Sequence, residues 1–156
     1  MNNWQLFPAK ALFDEKSEIW DSLNQSLYQQ HPLLDRRFAQ SLITFYGDQS
    51  LLLALYGSAE NGYSSALILQ KRKRATWTTF LPSQAQIAPA LCGDPHALKT
   101  LFKVLPGQPI SIELLCQDPD YSFRTEALTT FDKMAHARPT SATAGKSISG
   151  FATRLK

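Results

Sequence analysis

Cysteine is scarce in this chain, and what there is stands alone. Two occur in 156 residues, Cys92 and Cys116, and neither belongs to a CxxC pair. That excludes a disulfide framework and a redox dithiol as organising features. His31, His96 and His136 show no metal-ligand spacing beside those thiols, so no metal is expected. Long apolar runs are also missing: none approaches the ~18 residues that cross a bilayer. The first residues, Met1-Asn2-Asn3-Trp4, carry no basic segment ahead of an apolar core, so no secretory signal is expected and the expected compartment is the cytoplasm. A strong charge of one sign is absent as well. The net charge is +3, with no acidic or basic tail, too little to imply a nucleic-acid partner. No internal repeat is evident.

What remains is a globular composition, 44% apolar and 19% charged. A chain of this length favours one domain and buries roughly two thirds of its unfolded surface without staples. Trp4 to Phe7 alternates weakly and suggests a first strand cut by Pro8. Asp14 and Ser17 offer helix caps, and Ile19, Trp20, Leu23 and Leu27 fall at helical spacing, which predicts a helix over 17–29. Pro32 stops it. Asp35 caps a second helix over 36–46, with Phe38, Leu42 and Phe45 on one face and Gly47 where a left-handed cap is wanted. Leu51 to Tyr56 is apolar throughout, as a strand covered on both faces is. Tyr63 to Leu69 and Thr76 to Phe80 complete an antiparallel meander, joined by the basic run Lys71-Arg72-Lys73-Arg74. Asp94-Pro95 starts a third helix with Leu98, Leu101, Phe102 and Leu105 on its face. Pro106-Gly107 ends it, and Ile110 to Leu115 reads as a fifth strand. Beyond Asp118 the pattern weakens: a short helix within 124–134, a strand within 136–143, a linker from Ala144, and a helix opening at Phe151. The order β-α-α-β-β-β-α-β, with helices flanking a mostly antiparallel central sheet, makes an α+β, three-layer domain.

That order and those lengths resemble the GNAT acyltransferase fold. Three stretches narrow the resemblance: "EIWDSL", "HPLLDRRF" and "WTTFLPSQAQIAPAL". Together they look like the bacterial CelD-like, cellulose-biosynthesis-type acetyltransferases, related to the FemAB group of tandem-GNAT enzymes. Members are typically about twice this length. The resemblance therefore implies an N-terminal half, with residues 1–143 as the GNAT-like domain and 144–156 as linker and the start of a connecting helix. It implies acetyl-CoA or another acyl-CoA as the family's donor, and an amine or hydroxyl acceptor, a small molecule or cell-envelope precursor. It also implies a C-terminal GNAT-like half, or self-association through an exposed apolar face, as the partner.

In an ordinary GNAT domain the fourth strand leads into a Gly-rich loop whose amides, backed by a helix N-terminus, hold the CoA pyrophosphate. The matching stretch here, Gln84 to Gly93, has one glycine, and Pro89 removes a donor. No cofactor-binding residue is expected on this chain, and little activity is expected of it in isolation. Ser83, Gln84 and Gln86 offer neutral donors and acceptors suited to an amide or sugar hydroxyl; the plainer reading makes them turn caps. His31 and Asp35 flank the turn that borders the acceptor site in GNAT folds, and the resemblance places them against substrate; the plainer reading makes Pro32 and Asp35 punctuation and cap. Glu113, on the fifth strand, is a candidate carboxylate of raised pKa or a solvent-facing strand residue. No general base is named. The basic run reads as a solvated hairpin that discourages edge pairing. Gly145-Lys146-Ser147 lacks the upstream glycine of a P-loop. A second class stays open beside the enzyme: a non-catalytic binding or assembly module on the same scaffold.

Overall fold

The computed structural model describes residues 3–73 and 75–116 in full and the backbone of 135–139 and 151–155. One sheet organises them. Its strands are β1 (Asn3–Pro8), β2 (Leu52–Ser58), β3 (Gly62–Lys73), β4 (Thr76–Thr79), β5 (Ala90–Cys92), β6 (Ser111–Leu114), β7 (Ala135–Pro139) and β8 (Phe151–Leu155). They run in the order β1-β2-β3-β4-β6-β8-β7, and β5 pairs with β3 off that path. All pairings are antiparallel except β4 with β6, which is parallel with Trp77 opposite Ile112.

Among the described residues three α-helices cover the sheet: α1 (Ser17–Tyr28), α2 (Arg36–Tyr46) and α3 (Leu98–Leu101). Alternation along β2 and β3 sends side chains to both faces. Leu53, Leu55, Ala66 and Ile68 join Trp20, Leu23, Leu42 and Ile43 under α1 and α2. Ala54, Leu67 and Leu69 join Trp77, Ile112, Leu98 and Leu101 under α3. The uniformly apolar reading of Leu51 to Tyr56 is thus a strand buried on both sides, and the three-layer α+β expectation holds.

Several local expectations change. Phe151–Leu155 is a strand paired with β6 and β7, not the opening of a helix; its alternation of Phe151, Thr153 and Leu155 suits an extended chain once two neighbours supply hydrogen bonds. Neither Asp14 nor Ser17 caps α1 with its side chain; the Ser17 hydroxyl donates to the Asp14 carbonyl instead, 2.9 Å. Gly47 is extended, φ −84° and ψ 156°, rather than left-handed. Glycine is needed there for space, since a Cβ would sit 2.5 Å from the Ile43 carbonyl oxygen. The buried stripe of α2 is Ala39, Leu42 and Ile43, and Phe45 is 76% exposed. Ile110 lies outside β6, 68% exposed. The basic residues Lys71 to Lys73 belong to β3 itself. The helix expected within 124–134 and the linker at 144–150, including Gly145-Lys146-Ser147, lie outside the described residues.

Candidate functional site

Three features sit where the sequence points. The first is an excursion in the fourth strand. The Phe80 N–H donates to the Ile68 carbonyl, 2.8 Å, and the Ile68 N–H donates to the Pro89 carbonyl, 3.2 Å. Residues 81–88 therefore leave and rejoin the sheet opposite a single residue of β3, and β5 then continues along β3 with Leu67 opposite Ala90. This is a β-bulge extended into a loop. Ser83, Gln84 and Gln86 are exposed at its outer end, where the Ser83 hydroxyl donates to Gln84 Oε1, 2.9 Å. Ile87 and Ala88 are buried, and the Ala88 N–H closes onto the Cys116 carbonyl, 3.0 Å. The loop equated with a cofactor loop in the sequence thus ends as a strand, Ala90–Cys92, and the turn that enters α3 is Gly93-Asp94-Pro95.

That turn is the second feature, and the amides of Gly93, His96, Ala97 and Leu98 are all engaged. The Gly93 N–H donates to the Ser64 carbonyl, 2.9 Å, and to Ser65 Oγ, 3.3 Å. Pro95 has no N–H. The His96 N–H donates to Asp94 Oδ1, 2.9 Å, the Ala97 N–H to the Asp94 carbonyl, 3.2 Å, and the Leu98 N–H to the Pro95 and His96 carbonyls. A helix N-terminus attracts anions through unsatisfied amides and its dipole. Here the protein's own carboxylate already fills that place, and α3 is four residues long. Gly93 is pressed against β3, since a Cβ would lie 2.6 Å from the Ser64 carbonyl oxygen and 3.1 Å from Leu27.

Behind the turn, Cys92 is half-buried, with its sulfur accepting from the Ser65 hydroxyl at 3.6 Å. Burial pushes its thiol up to about 12. Cys116 is shifted upward by burial too. A thiol of raised pKa is a poor nucleophile at neutral pH. In the folded protein Cys92 is expected to stay unlabelled by a disulfide reagent that modifies Cys116, and to react once denatured. Below pH 9.0 the Cys92 thiol is protonated folded and unfolded alike. Between 9.0 and about 12 the unfolded chain releases that proton and the folded chain keeps it. Cys92 therefore costs stability as pH rises through that window, by up to about 1.4 kcal/mol per pH unit. Denaturant melts of Cys92→Ala against the parent should show a shallower alkaline decline in the variant.

The third feature lies between α1 and α2. Gln29 and Gln30 both adopt left-handed backbone, φ 52° and 60°, and lead into a 3₁₀ turn, Pro32–Leu34. Buried Asn24 holds this reversal: its Nδ2 donates to the His31 carbonyl, 3.2 Å, and its Oδ1 accepts the His31 N–H, 3.1 Å. His31 Nδ1 accepts from the Leu33 N–H, 3.2 Å, and Asp35 Oδ1 from the Arg37 N–H, 2.8 Å. Asp35 therefore performs the capping expected of it, and His31 caps the 3₁₀ turn, a role the sequence reading did not give it. Asp35 also lines an open groove of about 890 Å³, with Asp21, Asn24, Gln30, Arg36, Arg37 and Phe38 among its walls. Arg36 Nε meets Asp21 Oδ2 at 3.3 Å across the two helices. Ser83, Gln84 and Gln86 lie on the excursion rather than among the residues lining this groove. Glu113 is partly exposed and faces Arg72, 3.5 Å. Sequence reading passed over Asn24 and Gln30, because a left-handed glutamine pair leaves no compositional mark.

No family model matches the chain, and no curated protein matches it. Solved structures do. One described as a "putative phosphinothricin N-acetyltransferase" superposes with a TM-score of 0.54 at 10% identity, covering 98% of this chain and 96% of that one. Another, described as a "putative acyl-CoA N-acyltransferase" from Klebsiella pneumoniae, gives 0.47 at 8% identity, covering 97% and 96%. The mixed sheet flanked by helices is the GNAT acetyltransferase fold. Among the described residues, no helix is long and apolar enough to cross a membrane.

Proposed function

We propose that this chain is an acyltransferase-type GNAT domain that supplies acceptor-side surface, in the manner of the first half of a CelD-like enzyme. The acyl-CoA donor would be held by a C-terminal half or another subunit. The observation that carries this is the engagement of the Gly93, His96, Ala97 and Leu98 amides by the protein's own groups, the Asp94 carboxylate among them. A pyrophosphate seated there would have to displace a carboxylate and break backbone bonds to β3, while meeting like charge. The exposed rings of Phe45 and Tyr46 at the end of α2 are a surface that such a partner half, or a second copy, would cover. In the complete system the acceptor amine or hydroxyl would attack the thioester carbonyl, a base or water would take its proton, and the CoA thiolate would leave.

The test is calorimetric. Acetyl-CoA titrated into the purified, folded chain is expected to show no saturable heat in the micromolar range. Micromolar binding, with residues 93–98 responding, overturns the proposal. The same engaged turn also suits a second reading, a binding or assembly module without catalysis. Acyl transfer that appears when a donor-binding half is added would exclude that module.

A further inference from the structure

Building on the acceptor-side reading, we propose that the groove between α1 and α2 binds a neutral polyhydroxylated ligand, a pyranose unit, with Phe38 as its stacking face and Gln30, Asp35 and Arg37 as partners for its hydroxyls. The groove, about 890 Å³, has the size of a small-molecule site, roughly 300–1,000 Å³. Its charges cancel. Two aspartates, Asp21 and Asp35, stand against two arginines, Arg36 and Arg37, and one opposite pair is already closed at 3.3 Å. Such a wall gives a phosphate or a polyamine no excess of opposite charge to seek. A neutral ligand with many hydroxyls needs no such excess; it needs planar groups that present donors or acceptors in pairs. Carboxylate, guanidinium and amide are those groups. Asp35 uses Oδ1 for its cap, and a carboxylate has a second oxygen to offer.

The frame is built before any ligand arrives. Asn24 spends both polar atoms of its side chain on the His31 backbone and so acts as a positioning residue. It fixes the reversal in which Gln29 and Gln30 hold left-handed backbone, a conformation that costs a non-glycine residue and persists where surrounding contacts impose it. Trp20 reinforces the far side by donating from Nε1 to the Leu34 carbonyl, 2.8 Å. A rim already rigid loses little freedom when a ligand settles.

Isotope-labelled protein titrated with cellobiose and with N-acetylglucosamine tests the assignment by NMR. Saturable shifts of the Arg36, Arg37 and Phe38 amides and of the Gln30 side-chain amide are expected from at least one sugar. Ser41→Trp, on the exposed groove wall, should weaken that binding by about tenfold or more, a loss equivalent to 1.4 kcal/mol, with an unchanged denaturation midpoint. Phe38→Leu keeps apolar bulk but removes the stacking face, and should weaken binding as well. Absence of saturable shifts up to the solubility limit of both sugars overturns the proposal. So do shifts insensitive to Ser41→Trp, and so does a larger response of the groove to glutamate or inorganic pyrophosphate. No acyl donor is present in these titrations, so their failure leaves the acetyl-CoA result standing, and the reverse also holds.

Discussion

Trp20→Ala is expected to remove a large share of the protein's stability and to shift its urea midpoint far downward. The indole is fully buried in the core beneath α1 and α2, and removing an aromatic from such a place costs about 3–5 kcal/mol through lost transfer energy and the cavity left behind. Its Nε1–H also satisfies the buried Leu34 carbonyl, and stranding that acceptor adds about 1–3 kcal/mol. Domains of this size have about 5–15 kcal/mol in all. Trp20→Phe separates the two contributions, since it keeps most of the packing and loses the donor. Urea melts followed by circular dichroism measure both. An alanine variant that melts near the parent would mean the core is not centred on this residue.

Gly93→Ala is the second large effect, with a loss toward the upper end of the about 1–3 kcal/mol typical of overpacking, since the neighbours cannot yield. The clash is with backbone, the Ser64 carbonyl oxygen at 2.6 Å, so no rotamer change relieves it. Gly62→Ala makes the contrast. Its position is open, with nothing within 4 Å of a Cβ, but its φ is +78°, so the cost is conformational, about 1 kcal/mol. Equal stability of Gly93→Ala and the parent would show a turn loose enough to move off β3, and would weaken the case against a pyrophosphate at that turn.

Much of the fold was legible in the sequence because its signals are local. The spacing of Trp20, Leu23 and Leu27 and the proline at 32 set α1 within one or two residues, and Asp35 marked the start of α2 through a side-chain cap that the structure contains. The apolar run at 51–56 announced a strand buried on both faces because no residue in it is suited to water. What escaped depends on distant partners. Ala90–Cys92 is three residues long and carries no alternation; it is a strand only because β3 runs on past β4 and offers Ser65 to Leu67 as partners. Phe151–Leu155 likewise takes its conformation from β6 and β7. Phe45 shares a helical face with Phe38 and Leu42, yet the stripe that is buried runs through Ala39, Leu42 and Ile43 and leaves that ring outside.

The candidate site was legible in part. Glycine poverty in the stretch after the fourth strand was plain from composition, and the turn that follows is sealed by its own groups. The site residues named from the sequence divide between two places, His31 and Asp35 at the helix reversal and Ser83, Gln84 and Gln86 on the excursion. What was hidden at the reversal is the frame, because Asn24 and Gln30 act through backbone geometry that composition does not encode.

The excursion at Ile68 carries one further consequence. Because Phe80 and Pro89 both meet that single residue, the intervening segment contributes nothing to strand register on either side. Closing a longer loop costs slowly growing entropy, about 0.6 kcal/mol per doubling. Segment length and composition at the exposed tip, Ser83 and Gln84, are thereby uncoupled from the scaffold, while Ala85 stays packed against the core, so a foreign peptide can be spliced in at that tip while the sheet keeps its alignment.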